Sequence, residues 1–405
     1  MIYRLLLFFL LLLMGCQAGA ASTATPIPSA TAAIPNLAAA TTPWVRAPQI
    51  STSAPPPAPA ASPTAPPGVT TTPTPTATLA PPTAVPTAPP TPVPPTPVPP
   101  PAPPVPAYGY PIGRPGRLPG AGFFVRHGYQ VENTWFNPGY WHTGEDWYAR
   151  EGDTAGAQVY AIAAGTVVYV GANYPGRVVI VEQDDGLFSM YGHLDPAVAV
   201  QVDQRVRRGD LLGTILRRSD DVPNHLHFEV RTFLTSREVN GAAPRYGFRC
   251  GVQCPPGPGY WPIGAPDLPS DMGWRNPTHV INNRMFPPDA GAPLAEVQVV
   301  AQPVAQAVTL WSAPPGAEQT ATGELPLQPE ARFPLLAVWT GPENSRGTSA
   351  EAYQLWYRIG LPDGGSGWVP ALVASDFETG GDGRPATLFF HFVPVMGAAG
   401  SEPGA

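Results

Sequence analysis

The chain has 405 residues, of which 59 are Pro and 42 Gly, a formal net charge of -7 and only 13% charged residues. It contains no Lys/Arg run, which excludes a nucleic-acid partner that needs phosphate-neutralising cations. About half of the prolines fall between Ser22 and Pro106, a stretch too poor in apolar surface to offset its ordering entropy. The foldable part therefore runs from near Tyr108 to near Met396, long enough for two cores.

At the start of the chain, Arg4 precedes an apolar run from Leu5 to Met14. The run is shorter than the roughly 20 residues that span a bilayer, and it reads as the apolar core of a signal peptide. It ends in Leu13-Met14-Gly15-Cys16, which resembles the lipobox of bacterial lipoproteins. That resemblance implies a lipoprotein signal peptide over residues 1–16, acylation of Cys16 and attachment to the membrane through the lipid. The alternative is an ordinary cleaved signal peptide with an incidental cysteine. Both readings place the mature protein outside the cytoplasm, in or beyond the cell envelope.

Residues 17–106 form a low-complexity linker of Ala, Thr, Ser and Pro. Proline fixes φ near the polyproline II value, so the tract reads as an extended spacer that holds a domain away from its anchor. Plain disorder with no length requirement is the competing reading.

From Tyr108 the character changes to short β-branched runs separated by Gly- and Asp-containing turns. Val159–Ile162, Thr166–Val170, Arg177–Glu182, Leu187–Tyr191 and Leu211–Ile215 read as strands, with Asp184-Asp185-Gly186 as a hairpin turn. No segment keeps a 3.6-residue apolar period for long, so the fold class is mainly β, with antiparallel sheets and few helices. Residues 232–272 read as an irregular insertion, dense in Pro and Gly. It holds Cys250 and Cys254, expected to form a local disulfide in an oxidising compartment.

Three short motifs carry chemistry. In His225-Leu-His-Phe-Glu-Val-Arg231 the apolar residues Leu226, Phe228 and Val230 alternate with the polar ones. Alternate residues of a strand share a face, so His225 and His227 project together, about 6.5–7 Å apart along the strand. That spacing suits one metal ligand and one neighbour. Two surface histidines on a half-exposed strand are the bland reading of this motif alone. In His142-Thr-Gly-Glu-Asp146 an imidazole and a carboxylate stand four apart, both ligand types that catalytic zinc takes. Tyr191-Gly-His193-Leu ends a predicted strand.

The order of these motifs resembles the lysostaphin-type (LytM-like) zinc metallopeptidases, over roughly Tyr108 to Asn282. The Gly-rich lines at Gly152–Gly171 and Val206–Gly213 and the closing Asn276-Pro277 resemble that family too. The resemblance implies one Zn²⁺ per chain held by His142, Asp146 and His227, with His193 and His225 as the catalytic pair. It does not fix which of the two is the general base. Arg217–Asn224 lacks the family's Gly-rich approach to His225, and the insertion at 232–272 is extra. Tyr140 and Trp141 have two readings, cleft wall or ordinary β packing. Glu229 likewise reads either as an acceptor behind His227 or as a solvated or Arg-paired carboxylate. His127, His279 and His391 read as isolated histidines, exposed or locally hydrogen-bonded.

A second β-rich unit is expected over residues 297–396. Leu355-Trp-Tyr-Arg-Ile and Gly367-Trp-Val-Pro flank a Pro-Asp-Gly-Gly turn, and Val308-Thr-Leu-Trp-Ser-Ala-Pro precedes them. These stretches resemble the bacterial SH3-like domain, a small β-barrel whose members bind cell-wall peptides. Of Trp356 and Trp368, at least one is expected in its core. Residues 397–405 read as a disordered tail. The sequence thus predicts a zinc metallopeptidase domain over 107–290 followed by an SH3-like domain, with peptidoglycan as substrate and partner. The rivals are a non-catalytic wall-binding or regulatory lipoprotein and a secreted protease acting on proteins.

Overall fold

The computed structural model describes residues 108–134, 137–172, 176–219, 221–240, 243, 259–285, 295–345 and 354–395. The expectations for the signal peptide, Cys16, the linker, Cys250, Cys254 and the tail fall outside the described residues. The described part is built almost entirely of antiparallel strands, with two short helices, Pro269–Met272 and Pro277–Arg284. No helix among the described residues is long and apolar enough to cross a membrane.

A ten-stranded sheet dominates the fold. Its centre runs in the order Phe123–His127, Glu145–Ala149, Leu226–Arg231, Phe188–Leu194, Arg177–Gln183, Gly165–Ala172. The β-branched run Arg177–Gln183 pairs with Phe188–Leu194 across the Asp-Asp-Gly turn. One face of this sheet packs on Trp147, Phe228, Tyr191 and Val179, all fully buried. A three-stranded sheet of Ile112–Gly113, Gln158–Tyr160 and Leu211–Thr214 lies beside it.

Glycines let strands approach more closely than side chains permit, two of them beside the site. A Cβ on Gly144 would lie 2.3 Å from the Phe228 carbonyl oxygen and 2.9 Å from Glu229 Cγ. Gly144 is therefore what allows the His142–Asp146 segment to lie against the Leu226–Arg231 strand. Gly176 has φ +88 and its Cβ would meet the Leu194 carbonyl oxygen at 2.4 Å, just beyond His193.

The helix Pro277–Arg284 explains the Asn-Pro motif. Asn276 is its N-cap, its side chain accepting from the His279 amide at 3.2 Å, and Pro277 takes the first position, where no amide is needed. The Thr278 amide and hydroxyl both donate to buried Glu145 Oε1, at 3.1 and 2.6 Å. The helix thus braces the strand that carries Asp146.

The insertion is only partly outside the sheets. Its exit, Tyr260–Pro262, pairs with Tyr140–His142 and places Trp261 opposite Trp141. Trp141 packs against the core, which favours β packing over a free cleft wall.

The C-terminal region departs from a single separate unit. Seven strands between Ala295 and Val395 form one sheet in linear order, with Ala321–Pro326 and Phe392–Val395 at its ends. The hairpin Leu372–Thr379 and Pro385–Phe390 instead joins the ten-stranded sheet at the Phe123–His127 strand. Phe390 stacks on Trp147 with ring centroids 5.2 Å apart, so one core runs through both regions. Trp356 and Trp368 are only half-buried, contrary to expectation. The alternation on these strands has the opposite phase: Leu355, Tyr357, Ile359 and Val369 face the core.

Candidate metal centre

The strand pairing that builds the sheet also assembles the site. In the register, His227 lies opposite Asp146 on one side and Gly192 on the other. His142, Asp146 and His227 therefore meet from three separate stretches of strand, together with His193 and His225. All five are buried, His193 and His225 least so, at 8% and 7% exposed.

His142 Nε2, His227 Nδ1 and Asp146 Oδ1 converge. The two nitrogens are 3.0 Å apart, and they lie 3.3 and 3.1 Å from the carboxylate oxygen. The outer ring nitrogens settle the tautomers. His142 Nδ1 contacts the Gly128 carbonyl at 3.2 Å and His227 Nε2 contacts Glu229 Oε1 at 3.0 Å. Both partners can only accept, so the outer nitrogens carry protons, and the inner ones would present lone pairs to a metal ion that displaces any proton between them. His142 Nε2, His227 Nδ1 and Asp146 Oδ1 thus face one point, an arrangement that suits a cation, whether a proton shared with Asp146 or a metal ion held by all three. Two imidazoles and a carboxylate suit zinc, whose tetrahedral donor–donor edge is roughly 3.3 Å for bonds of about 2.0 Å. These three residues can hold one metal ion, and the site fits the ion that the sequence reading anticipates.

The electrostatics agree. Burial opposes a charge on His227, but the flanking Asp146 and Glu229 carboxylates push its pKa up to about 9. Burial likewise opposes ionisation of Asp146, yet the neighbouring His142, His225 and His127 rings hold it well below the usual carboxylate range. Both shifts show a pocket whose negative charge favours a positive occupant.

Glu229 is fully buried and serves as the acceptor behind His227, which rules out the solvated reading. Thr143 Oγ1 donates to its Oε1 at 2.7 Å and Trp274 Nε1 to its Oε2 at 2.9 Å. Arg231 stands 3.6 Å away. Despite burial, Arg231 and His227 hold the Glu229 carboxyl down to about 2.

His225 and His193 flank the triad. Their ring centroids are 4.6 Å apart, and His225 Nε2 lies 3.7 Å from Asp146 Oδ1. The His225 Nδ1–H donates to the Pro223 carbonyl at 2.8 Å, which leaves Nε2 as the acceptor on the side of the triad. Burial pushes the His225 pKa down to about 4, so the ring is neutral near pH 7. Tyr148 stacks on it, centroids 4.9 Å apart. His193 has φ +63, a left-handed conformation that a β-strand residue rarely adopts, one residue before the end of the Phe188–Leu194 strand.

The remaining histidines are buried rather than exposed. His279 contacts the Pro342 carbonyl at 2.9 Å, and His391 lies under the C-terminal strands. His127 belongs to the site's surroundings. Its Nδ1 stands 3.6 Å from Asp146 Oδ2, and its Nε2 pairs with Glu378 of the C-terminal hairpin. The sequence reads His127 as an isolated histidine and gives Glu378 no role. His127 sits in an ordinary strand run, and nothing in Phe377-Glu378-Thr379 marks it as a neighbour of the site.

Residues 140–241 match the model of Peptidase family M23. The cell division protein DipM of Caulobacter vibrioides is 35% identical over 78 residues, 19% of this chain. The chain spans only 13% of that protein's length. Among solved structures, a zinc-containing peptidase from Vibrio cholerae is 27% identical over 31% of this chain and 36% of its own, with a TM-score of 0.24. The antimicrobial peptidase lysostaphin of Staphylococcus simulans is 14% identical over 68% of this chain and 95% of its own, with a TM-score of 0.27.

Proposed function

We propose that this chain is a zinc-dependent endopeptidase of the cell envelope that hydrolyses peptide bonds in peptidoglycan stem peptides or cross-bridges. The observation that carries the reading is the convergence of His142 Nε2, His227 Nδ1 and Asp146 Oδ1, beside a neutral His225 whose acceptor nitrogen faces them. The match of residues 140–241 to a peptidase family supports it.

His142, Asp146 and His227 would hold the Zn²⁺. When bound, Zn²⁺ supplies Lewis-acid polarisation of the scissile carbonyl and makes water a better acid. His225 Nε2 takes the proton of the attacking water and hands it to the leaving amine. The Nδ1 contact with Pro223 steadies the imidazolium during that transfer. His193, held toward the same space by its left-handed backbone, orients the water or stabilises the oxyanion. Glu229 and the Gly128 carbonyl fix the two ligand rings, so no reorientation is needed when substrate enters.

Acylation of Cys16 and the linker 17–106 would tether this domain near the wall. The SH3-like reading of residues 297–396 adds a second wall contact, which raises effective concentration. A staple between Cys250 and Cys254 would close the insertion loop.

The test is digestion of purified peptidoglycan by the full chain loaded with zinc, with mass analysis of the released fragments. New amine ends at stem or cross-bridge peptides support the proposal. Bound zinc without new ends points to a binding or regulatory protein. Cleavage of casein but not of wall material points to a protease of proteins.

A further inference from the structure

The ten-stranded sheet ends in a hairpin that comes from the far end of the chain, and two irregularities coincide where it meets the metal centre. In the Phe123–His127 strand the register slips between Val125 and His127, so that His127 rather than Arg126 lies opposite Asp146. Consecutive strand residues ordinarily point to opposite faces, and a bulge re-aims one of them. As a result Arg126 and His127, neighbours in sequence, both reach the same carboxylate. In the hairpin the register slips between Ser375 and Thr379, in the stretch that contains Glu378.

That carboxylate is Glu378. Arg126 Nε donates to its Oε1 at 2.6 Å, across 252 positions of sequence, and His127 Nε2 pairs with its Oε2. The side chains of His127 and Glu378 are 6% and 11% exposed. On the other side of the His127 ring, Nδ1 lies 3.6 Å from Asp146 Oδ2, a packing approach without a hydrogen bond. Asp146 is thereby divided: Oδ1 faces His142, His225 and His227, while Oδ2 faces His127. Arg126 also lies over the Tyr148 ring, 5.3 Å from its centroid, and Tyr148 stacks on His225.

We infer that Glu378 is a positioning residue of the metal centre: it seats His127 against the outer oxygen of Asp146, so that this carboxylate offers only Oδ1 to the ion. The inference rests on the zinc reading above. It makes the C-terminal hairpin a working part of the peptidase domain. The hairpin's backbone is already fixed to the Phe123–His127 strand, by Gly128 N donating to the Ala386 carbonyl and Thr387 Oγ1 to the Arg126 carbonyl, both at 2.9 Å. Glu378 itself is therefore not needed to dock it. Its carboxylate has the same relation to His127 that an outer carboxylate has to a ligand imidazole, one shell further out.

The experiment measures Zn²⁺ affinity of the full chain by competition with a chromogenic chelator, for the parent and for Glu378→Gln, Glu378→Asp and Asp376→Asn. Circular dichroism is recorded on each variant at the same temperature. Glu378→Gln is expected to weaken Zn²⁺ binding about 10-fold or more, Glu378→Asp to recover part of the loss, and Asp376→Asn, an exposed acid on the same hairpin, to bind like the parent. A folded Glu378→Gln variant that binds zinc as the parent does overturns the inference and leaves the metal centre standing. Equal losses in Glu378→Gln and Asp376→Asn also overturn it, because they reduce the effect to surface charge. A parent that retains no zinc overturns the metal centre and this inference together.

Discussion

His142 Nε2 lies 3.0 Å from His227 Nδ1, although 85 positions separate the two residues. With both outer nitrogens protonated, the two inner ones face each other across a space that a cation, either a proton or a metal ion, must fill. His227→Ala is therefore expected to lose both zinc and turnover. His225→Ala should keep zinc stoichiometry, because its ring only borders the triad, and should lose about 10²–10⁴-fold in turnover. Metal analysis by atomic emission alongside fragment release from peptidoglycan checks both. Full activity with unchanged zinc in either variant contradicts the assignment.

Gly144 tests the strand packing behind the site. Adding one methyl at Gly144→Ala drives it into the Phe228 backbone at 2.3 Å, where nothing flexible can yield. The expected cost is about 1–3 kcal/mol of stability, read as a shift of the urea midpoint. Zinc affinity should fall with it, since the displaced strand carries His227.

Glu229 tests the fixed tautomer of His227. Glu229→Gln leaves an amide that can no longer accept from His227, Thr143 and Trp274 at once. Zinc affinity is expected to drop about 10- to 100-fold while the strand content in circular dichroism stays unchanged. Chelator competition gives the number, and parent-like affinity would remove Glu229 from the site.

His279 predicts an acid limb of stability. Burial pushes its folded pKa down to about 4 from an ordinary 6.5, against the pull of the Pro342 carbonyl and Glu343. Between those values the unfolded chain binds the extra proton. This contribution is therefore fully present above pH 6.5 and is lost as pH falls toward 4, by an amount on the order of 2–3 kcal/mol. Urea midpoints of metal-free protein measured from pH 7 to 4 should fall more steeply for the parent than for His279→Gln. Parallel curves would show that this histidine does not report on folding.

The C-terminal sheet predicts opposite outcomes for neighbouring aromatics. Tyr357 is fully buried and its hydroxyl donates to Asn282 Oδ1 at 2.8 Å, linking this sheet to the helix behind the site. Tyr357→Ala should cost about 3–5 kcal/mol, the usual range for deleting a large buried aromatic. Trp356→Ala and Trp368→Ala should each cost well under half of that, because both rings lie on the half-exposed face. Thermal melts of the three variants decide.

The parts of the site that share one strand or one short motif were legible in sequence. Alternation from His225 to Arg231 places His225 and His227 together, and His142 and Asp146 share one short motif. Glu229 was half legible, since it shares a face with His227, but its neighbours Thr143 and Trp274 come from elsewhere. Alternation alone does not say which face is packed, and so the phase at Trp356 and Trp368 was misread. His127 and Glu378 were beyond reach for another reason. Their meeting depends on a register slip in one strand and another in a distant hairpin, and neither leaves a compositional mark.

The hairpin Leu372–Phe390 also sets an order of events. A chain emerges from its amino end, so all five residues of the candidate site leave the ribosome well before Glu378 does. Until then the Phe123–His127 strand is a bare sheet edge and the support behind Asp146 is missing. On the role proposed for Glu378, completion of the site would wait for completed synthesis, and a polypeptide stalled or clipped short of residue 372 would carry every candidate ligand yet lack the carboxylate that seats His127.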